Sequence, residues 1–341
     1  MSTLTGQRPS GPAPHRPSAL TRYGRPTGLT WTVLRLHRTA LYVWGAALLT
    51  VVAALVWMHA IGPDARAATG GCDAADPFPM DCGIIQETEA HKIYANGLAL
   101  VSACVTYLMY AVAVWAGAAL TGRELESGTA RLAWTQSVTP ARWLATRLAV
   151  PAVLLTAGTT LAVLLGDWAR RAGNQELFGG WFDTNVFISS GPAAVAYALA
   201  GLALGALAGL ALRRALPAAA AALAAAYVLH EVLDRFRMSL WPAETATGLS
   251  ALRLPNGTLV LEHGAVTGDG ERLSTSMACV GTDSAAALER CVKGSGLTDF
   301  WTTYQPESHF WPLQFVESGL LLAVTGLAAA AAFALLRRRH A

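Results

Sequence analysis

The chain has 341 residues, 53% hydrophobic and only 14% charged, with a formal net charge of +3 and a mean hydropathy of +0.39. Soluble domains carry roughly 25% charged residues, so this composition excludes an ordinary soluble domain and implies repeated bilayer-length apolar runs. The basic residues gather at the ends of those runs and are not interleaved with aromatics in one patch, which excludes a nucleic-acid partner.

Residues 1–39 begin with a Pro-, Gly-, Ser- and Arg-rich stretch that holds no carboxylate up to Thr30. This predicts a disordered basic cytoplasmic tail, with Arg22 and Arg25 able to touch anionic headgroups. Trp31, Leu34 and Leu36 set against Arg35 and Arg38 suggest a short interfacial helix after it. The first apolar run, 40–61, is long enough to span a bilayer. Its preceding segment is too long, and the run itself exceeds the h-region, for a cleaved signal peptide. A polar, acidic loop over 62–95 leads to the second span, 96–120.

The third span, 143–166, contains Pro151, which should kink it, and Arg147, which can snorkel to the interface. Span four, 186–212, carries Gly201, Gly205 and Gly209 as small-xxx-small units that favour helix packing. Arg213 and Arg214 make a tight turn into span five, 215–233. The segment 234–313 is the largest polar stretch. Within it, Leu252–Leu254 and Thr258–Leu261 flank Pro255-Asn256-Gly257, which predicts a hairpin. Trp301, Tyr304, Phe310 and Trp311 resemble an interfacial aromatic belt before span six, 314–336, which Arg337, Arg338 and Arg339 close.

The fold class is therefore an all-α polytopic membrane protein with six transmembrane helices. Its segments divide as a tail over 1–39, helices 1–5 over 40–233, a small mixed extracellular segment between helices 5 and 6 over 234–313, and helix 6 with a basic end over 314–341. With both termini cytoplasmic, fifteen of the 25 basic residues lie inside, on the shorter connections. That orientation places Cys72, Cys82, Cys279 and Cys291 outside as two local pairs, so disulfides 72–82 and 279–291 are expected, with unpaired surface thiols as the alternative. Cys104, inside an apolar run, reads as a small packing residue.

The longest cytoplasmic connection, about 123–143, holds Glu124, Glu126, Arg123, Arg131 and Arg142. Leu125, Thr129 and Leu132 fall at i, i+4 and i+7, giving a short helix there one semi-apolar face. Gly128 weakens that helix, and Thr139 followed by Pro140 reads as the N-cap and first residue of the next. Chemistry alone leaves two readings open: a docking element for a soluble partner, or a solvated connector.

Glu124, Glu126, Gly128, Thr129, the run Trp134–Thr139 that includes Gln136, and Arg142-Trp143 resemble the coupling-helix segment of ABC-2 type exporter permeases, closest to the actinobacterial branch. Tyr304-Gln305-Pro306, Phe310-Trp311, Gln314 and Glu317 resemble the approach to the last membrane helix of that branch. The resemblance implies a plasma-membrane permease subunit of an ATP-driven exporter, working with a separate cytoplasmic ABC ATPase. It also implies a second six-helix subunit, expected to be an identical copy, since such exporters have twelve spans. The ATPase partner would bind ATP and magnesium; this chain is expected to hold no cofactor and no metal.

No enzyme site stands against this reading. Lys92 and Lys293 are the only lysines, and neither follows Gly or precedes Ser or Thr as a Walker A lysine must. Glu89 with His91, and His230 with Glu231, are either metal or proton sites or polar caps at the interface. Gln314 and Glu317, at i and i+3, share one face at the outer mouth of span six, as a gate or substrate contact or as interfacial residues. A polytopic sensor or assembly protein that binds a ligand with 234–313 is the rival class.

The cysteine pairs yield a direct test. Non-reduced digests of protein from the native membrane should contain both the 72–82 and 279–291 linked peptides, each closure worth roughly 3 kcal/mol in the chain-entropy model. Free thiols at all four positions would refute the pairing.

Overall fold

A computed structural model describes residues 34–67, 89–135, 138–173, 180–252, 254–255, 257–274, 290, 294 and 297–339. Among the described residues, six helices are long and apolar enough to cross a membrane. The helices are α1 (Arg38–Ala67), α2 (Glu89–Trp115), α3 (Arg123–Glu126), α4 (Thr129–Thr135), α5 (Pro140–Arg170), α6 (Thr184–Ser189), α7 (Ala193–Leu212), α8 (Ala215–Phe236) and α9 (Phe310–Arg338). Between α2 and α3 the chain winds as a π-helix, Ala116–Gly122, so one long rod runs from Glu89 to Glu126. The four cysteines expected to pair and Gln136 lie outside the described residues.

The core forms around α7, whose sequence is almost entirely Ala, Gly and Leu. Small side chains let backbones approach closely, which drives helix association where lipid removes the hydrophobic difference. A Cβ at Gly205 would stand 2.5 Å from the Ala113 carbonyl oxygen, and Cβ atoms at Gly201 and Gly209 would strike the Met109 carbonyl and the Thr121 hydroxyl. These three glycines therefore seat α7 against α2 and the π-helix. On the other flank of the π-helix, a Cβ at Gly117 would lie 2.9 Å from the Ala218 carbonyl oxygen of α8. Buried Ala218, Ala222 and Ala226 continue that contact at four-residue spacing. Cys104, expected to pack inward, is exposed on α2.

Span four is not one helix from 186. Ser190-Gly191-Pro192 break it, because proline supplies no N–H and is disfavoured after a helical residue. The turn after α7 places Arg213 at φ 55°, its N–H bonded to the Gly209 carbonyl, which ends the helix in a left-handed cap.

Four antiparallel strands sit at the end of the bundle where α8 stops and α9 starts: β1 (Glu244–Thr247), β2 (Leu259–Thr267), β3 (Arg272–Ser274) and β4 (Leu297–Gln305), in the order β1-β4-β2-β3. Among the described residues, the stretches expected to flank Pro255–Gly257 do not pair with each other. Residues 248–252 wind as a 3₁₀ turn, and β2 instead turns back into β3 through the Gly268–Glu271 connection, with Gly270 at φ 81°. The nine-residue β4 offers β2 a longer ladder than Leu252–Leu254 could, and pairing follows the longer register. Trp301 and Tyr304, expected in an aromatic belt, belong to β4, where Trp301 is buried.

Ser127 and Asp269 are both exposed, at opposite ends of the bundle. In a variant lacking native cysteines, Ser127→Cys should react with an impermeant thiol reagent only from the cytoplasmic side and Asp269→Cys only from outside. Labelling of both from one side would overturn the six-span path.

Candidate functional site

At the basic end of the bundle, the segment after α2 folds onto its own protein. Ser127 and Gly128, the latter at φ 73°, separate α3 from α4, so Leu125 and Leu132 do not share one continuous helix. Leu125, Ala130, Trp134 and Val138 pack on Leu210, Ala332 and Leu336 of α7 and α9. Of the expected stripe Leu125, Thr129 and Leu132, Leu125 is thus turned inward, Thr129 is exposed, and the Leu132 side chain lies outside what the structure describes. The outward face is polar: Glu126, Ser127, Thr129, Thr135, Thr139 and Arg142 are exposed. Thr139 caps α5 with its Oγ1 accepting from the Arg142 N–H at 3.3 Å, and Pro140 opens the helix.

The two carboxylates have separate tasks. Glu124 is buried and pairs with Arg147 on α5, two helices further along the chain. Arg147, expected to reach the interface, is buried too; it lies over the Trp143 ring at 5.4 Å and donates to His37 Nε2 at 2.9 Å. Burial, with the Arg147 charge adding, holds His37 down at about 4, so the imidazole is neutral and accepts that hydrogen bond. A lowered histidine favours the folded state fully above the ordinary value near 6.5 and loses that contribution as pH falls towards 4. Glu126 accepts from the Ala215 N–H at 2.9 Å. Arg214 offers α8 no side-chain cap, so a carboxylate from another helix satisfies the exposed amide and the helix dipole.

A second polar cluster lies at the sheet end, between α6, α7, α8 and α9. Gln314 and Glu317, expected at an outer mouth, are fully buried. Gln314 bridges the break before α7: its Nε2 donates to the Phe187 carbonyl at 2.5 Å and its Oε1 accepts from the Ala193 N–H at 3.2 Å. A Cβ at Gly191 would stand 2.6 Å from the Gln314 Cδ, so only glycine leaves room for that bridge.

Glu317 receives Tyr197 Oη at 2.6 Å and Arg237 through Nε at 2.8 Å and Nη2 at 3.2 Å. Arg237 donates its remaining N–H groups to Asp234 at 2.8 Å and Thr184 at 3.3 Å, and lies over the Phe187 ring at 4.6 Å. Beside the cluster, His230 is buried among Tyr107, Tyr110 and Tyr197, and its Nδ1 has no hydrogen-bond partner among the described residues. Gln305 ties β4 to this end by donating to the Met238 and Trp241 carbonyls at 3.0 and 2.9 Å.

Sequence reasoning singled out Gln314 and Glu317 but missed Arg237, Tyr197 and Thr184. One signal was available: Arg237 follows Asp234 at i+3, a spacing that pairs charges on a helix end. Among the described residues no group of three or more His, Cys, Asp or Glu could hold a metal ion, and neither Glu89 with His91 nor His230 with Glu231 gathers a third ligand.

Among the described residues, six bilayer-length helices, a small-residue core and charges paired at the two ends define a polytopic α-helical membrane protein. The chain belongs to the ABC-2 membrane transporter related family, whose sequence model matches residues 31–237, from before α1 to the arginine after α8. It is a multi-pass plasma-membrane protein and the permease component of an ABC transporter. No curated protein and no solved structure matches the chain.

The sheet-end pair predicts a non-additive double-mutant cycle. Arg237→Met and Glu317→Leu singly should each cost about 3–5 kcal/mol, because each strands a buried charge. Together they should cost clearly less than the sum. Thermal unfolding of the purified protein reads the cycle, and simple additivity would show that the pair does not interact.

Proposed function

We propose that this chain is the membrane subunit of an ATP-driven exporter, coupled through 123–143 to a separate cytoplasmic ATPase. The observation that carries the proposal is the division of labour in this segment. Its outer face, with Glu126, Thr129 and Arg142, is exposed and polar, while Glu124 is buried and paired to Arg147 of α5. A partner seated on the outer face would therefore pull on α5 through Glu124, and on α8 through Glu126. The other connection at this end, Arg213-Arg214, is too short to reach far from the membrane. Gly128 allows the sharp break that turns α4 across the bundle end, and Gln136 continues the same stretch in sequence.

The absence of a Walker A lysine in the sequence supports ATP hydrolysis, with its magnesium, residing in the partner and not in this chain. Two copies would supply twelve spans, and Gly201, Gly205 and Gly209 would hold each copy together from within. Gln314 and Glu317 would act in opening as a bolt across α6, α7, α8 and α9, since their polar atoms are committed to the chain itself. The family match gives the sensor reading no support.

Three variants separate docking from transmission. Glu126→Lys with Arg142→Glu should abolish substrate-stimulated ATP hydrolysis and ATPase retention on purification. Glu126→Gln keeps the acceptor for the Ala215 N–H and should behave nearly as wild type. Glu124→Gln should retain the ATPase yet lower transport. Wild-type transport and ATPase retention in the charge-reversed variant would reduce this segment to a connector.

A further inference from the structure

A groove of about 1070 Å³ opens on the side of the bundle between the start of α1, the end of α2 and the first half of α5. Its deep end is apolar, lined by Trp44, Leu108 and Leu155, and its shallow end is lined by Arg123, Ser127 and Thr129. Along α2 and the π-helix, Leu108 to Arg123 spans about 20 Å at the helical rise. That is somewhat more than half of the roughly 30 Å hydrocarbon core, so the groove runs the depth of one leaflet. Hydrocarbon surrounds the bundle there, and an apolar slot open to it is filled by acyl chain, not water.

Charge at the shallow end decides which lipid. Glu124 is cancelled by Arg147, and His37 is neutral, so neither adds net charge. Arg123 lines the groove and is exposed, and its side chain makes no hydrogen bond or ion pair among the described residues. Arg35, Arg38 and Arg142 are exposed at the same end. Against these four arginines stands one exposed carboxylate, Glu126, which accepts from the Ala215 N–H; the unbalanced charge is positive, and it sits where a headgroup would lie.

We propose that this groove is a binding site for an anionic phospholipid of the leaflet at the basic end, with one acyl chain in the slot and the phosphate on Arg123. Trp44, Trp115 and Trp143 give the chain its rigid walls. The occupant is a resident lipid, held where α3 and the Glu124–Arg147 pair meet the bilayer. The site shares Arg123, Ser127 and Thr129 with the segment proposed to couple to the ATPase, so ATPase retention is scored beside lipid retention: loss of lipid preference with the ATPase still bound separates this proposal from that reading.

Native mass spectrometry of the full-length chain in its purified complex tests this with phosphatidylglycerol and phosphatidylcholine of identical acyl chains. Wild type should retain phosphatidylglycerol preferentially. Arg123→Gln, an exposed change that leaves the fold intact, should cut that preference about five- to tenfold, the effect of one basic contact with an anionic lipid. Ala111→Trp, which fills the slot, should reduce retention of both lipids. Retention should also survive ATP turnover. Equal retention of the two lipids by wild type, or an unchanged preference in Arg123→Gln, would overturn the proposal. So would a preference that persists with the slot filled, which marks surface attraction only, or release on turnover, which marks cargo.

Discussion

Burying an arginine among membrane-spanning helices costs several kcal/mol unless a carboxylate and hydrogen bonds meet it, and among the described residues this protein buries two. Arg147 meets Glu124 at the basic end, and Arg237 meets Glu317 at the sheet end. Each pair joins elements distant in the chain, 23 and 80 residues apart. Hydrocarbon offers no substitute partner, so each arginine specifies one arrangement of the helices around it. The flat apolar packing of Ala and Gly between the ends could not do so alone.

Between these two pins the bundle is joined by close backbone contact. The π-helix widens the rod at Ala116–Gly122 so that α7 and α8 both press on its backbone, one through Gly209 and the other through Ala218. Thr121 keeps the turn satisfied by donating to the Ala116 carbonyl at 3.0 Å. Such interfaces transmit displacement because packed backbones do not deform continuously. Under the proposed function, movement at the 127–142 face would reach α7 by this route, and through Tyr197 of α7 the Glu317–Arg237 pair.

The sheet end is held to the same frame. Gln305 reaches the chain just after α8, and Trp181 donates to the Gly257 carbonyl at 2.6 Å. His309 bonds Gln305 at 2.6 Å, so the residues leading into α9 are fastened before the helix begins. A rearrangement of α8 and α9 would therefore carry the strands with it.

Six apolar runs, their basic ends and the turn at Arg213-Arg214 were legible in the sequence, because crossing hydrocarbon demands length and apolarity in consecutive residues. Thr139-Pro140 as a helix start was equally legible, since a cap acts over three residues. The charges of 123–143 and its likeness to a coupling segment singled it out in the sequence. What the segment faces did not: the π-helix shifts the register after Ala116, Gly128 breaks the helix that carried the apolar stripe, and Glu124 turns inward to a partner on another helix. Likewise Gln314 and Glu317 stood out as polar groups in an apolar run, but Tyr197, Thr184 and Arg237 come to them only through the crossing of four helices. Local rules act between neighbours in the chain, whereas the partner of a buried charge is chosen by which helices the small residues of α7 allow to touch.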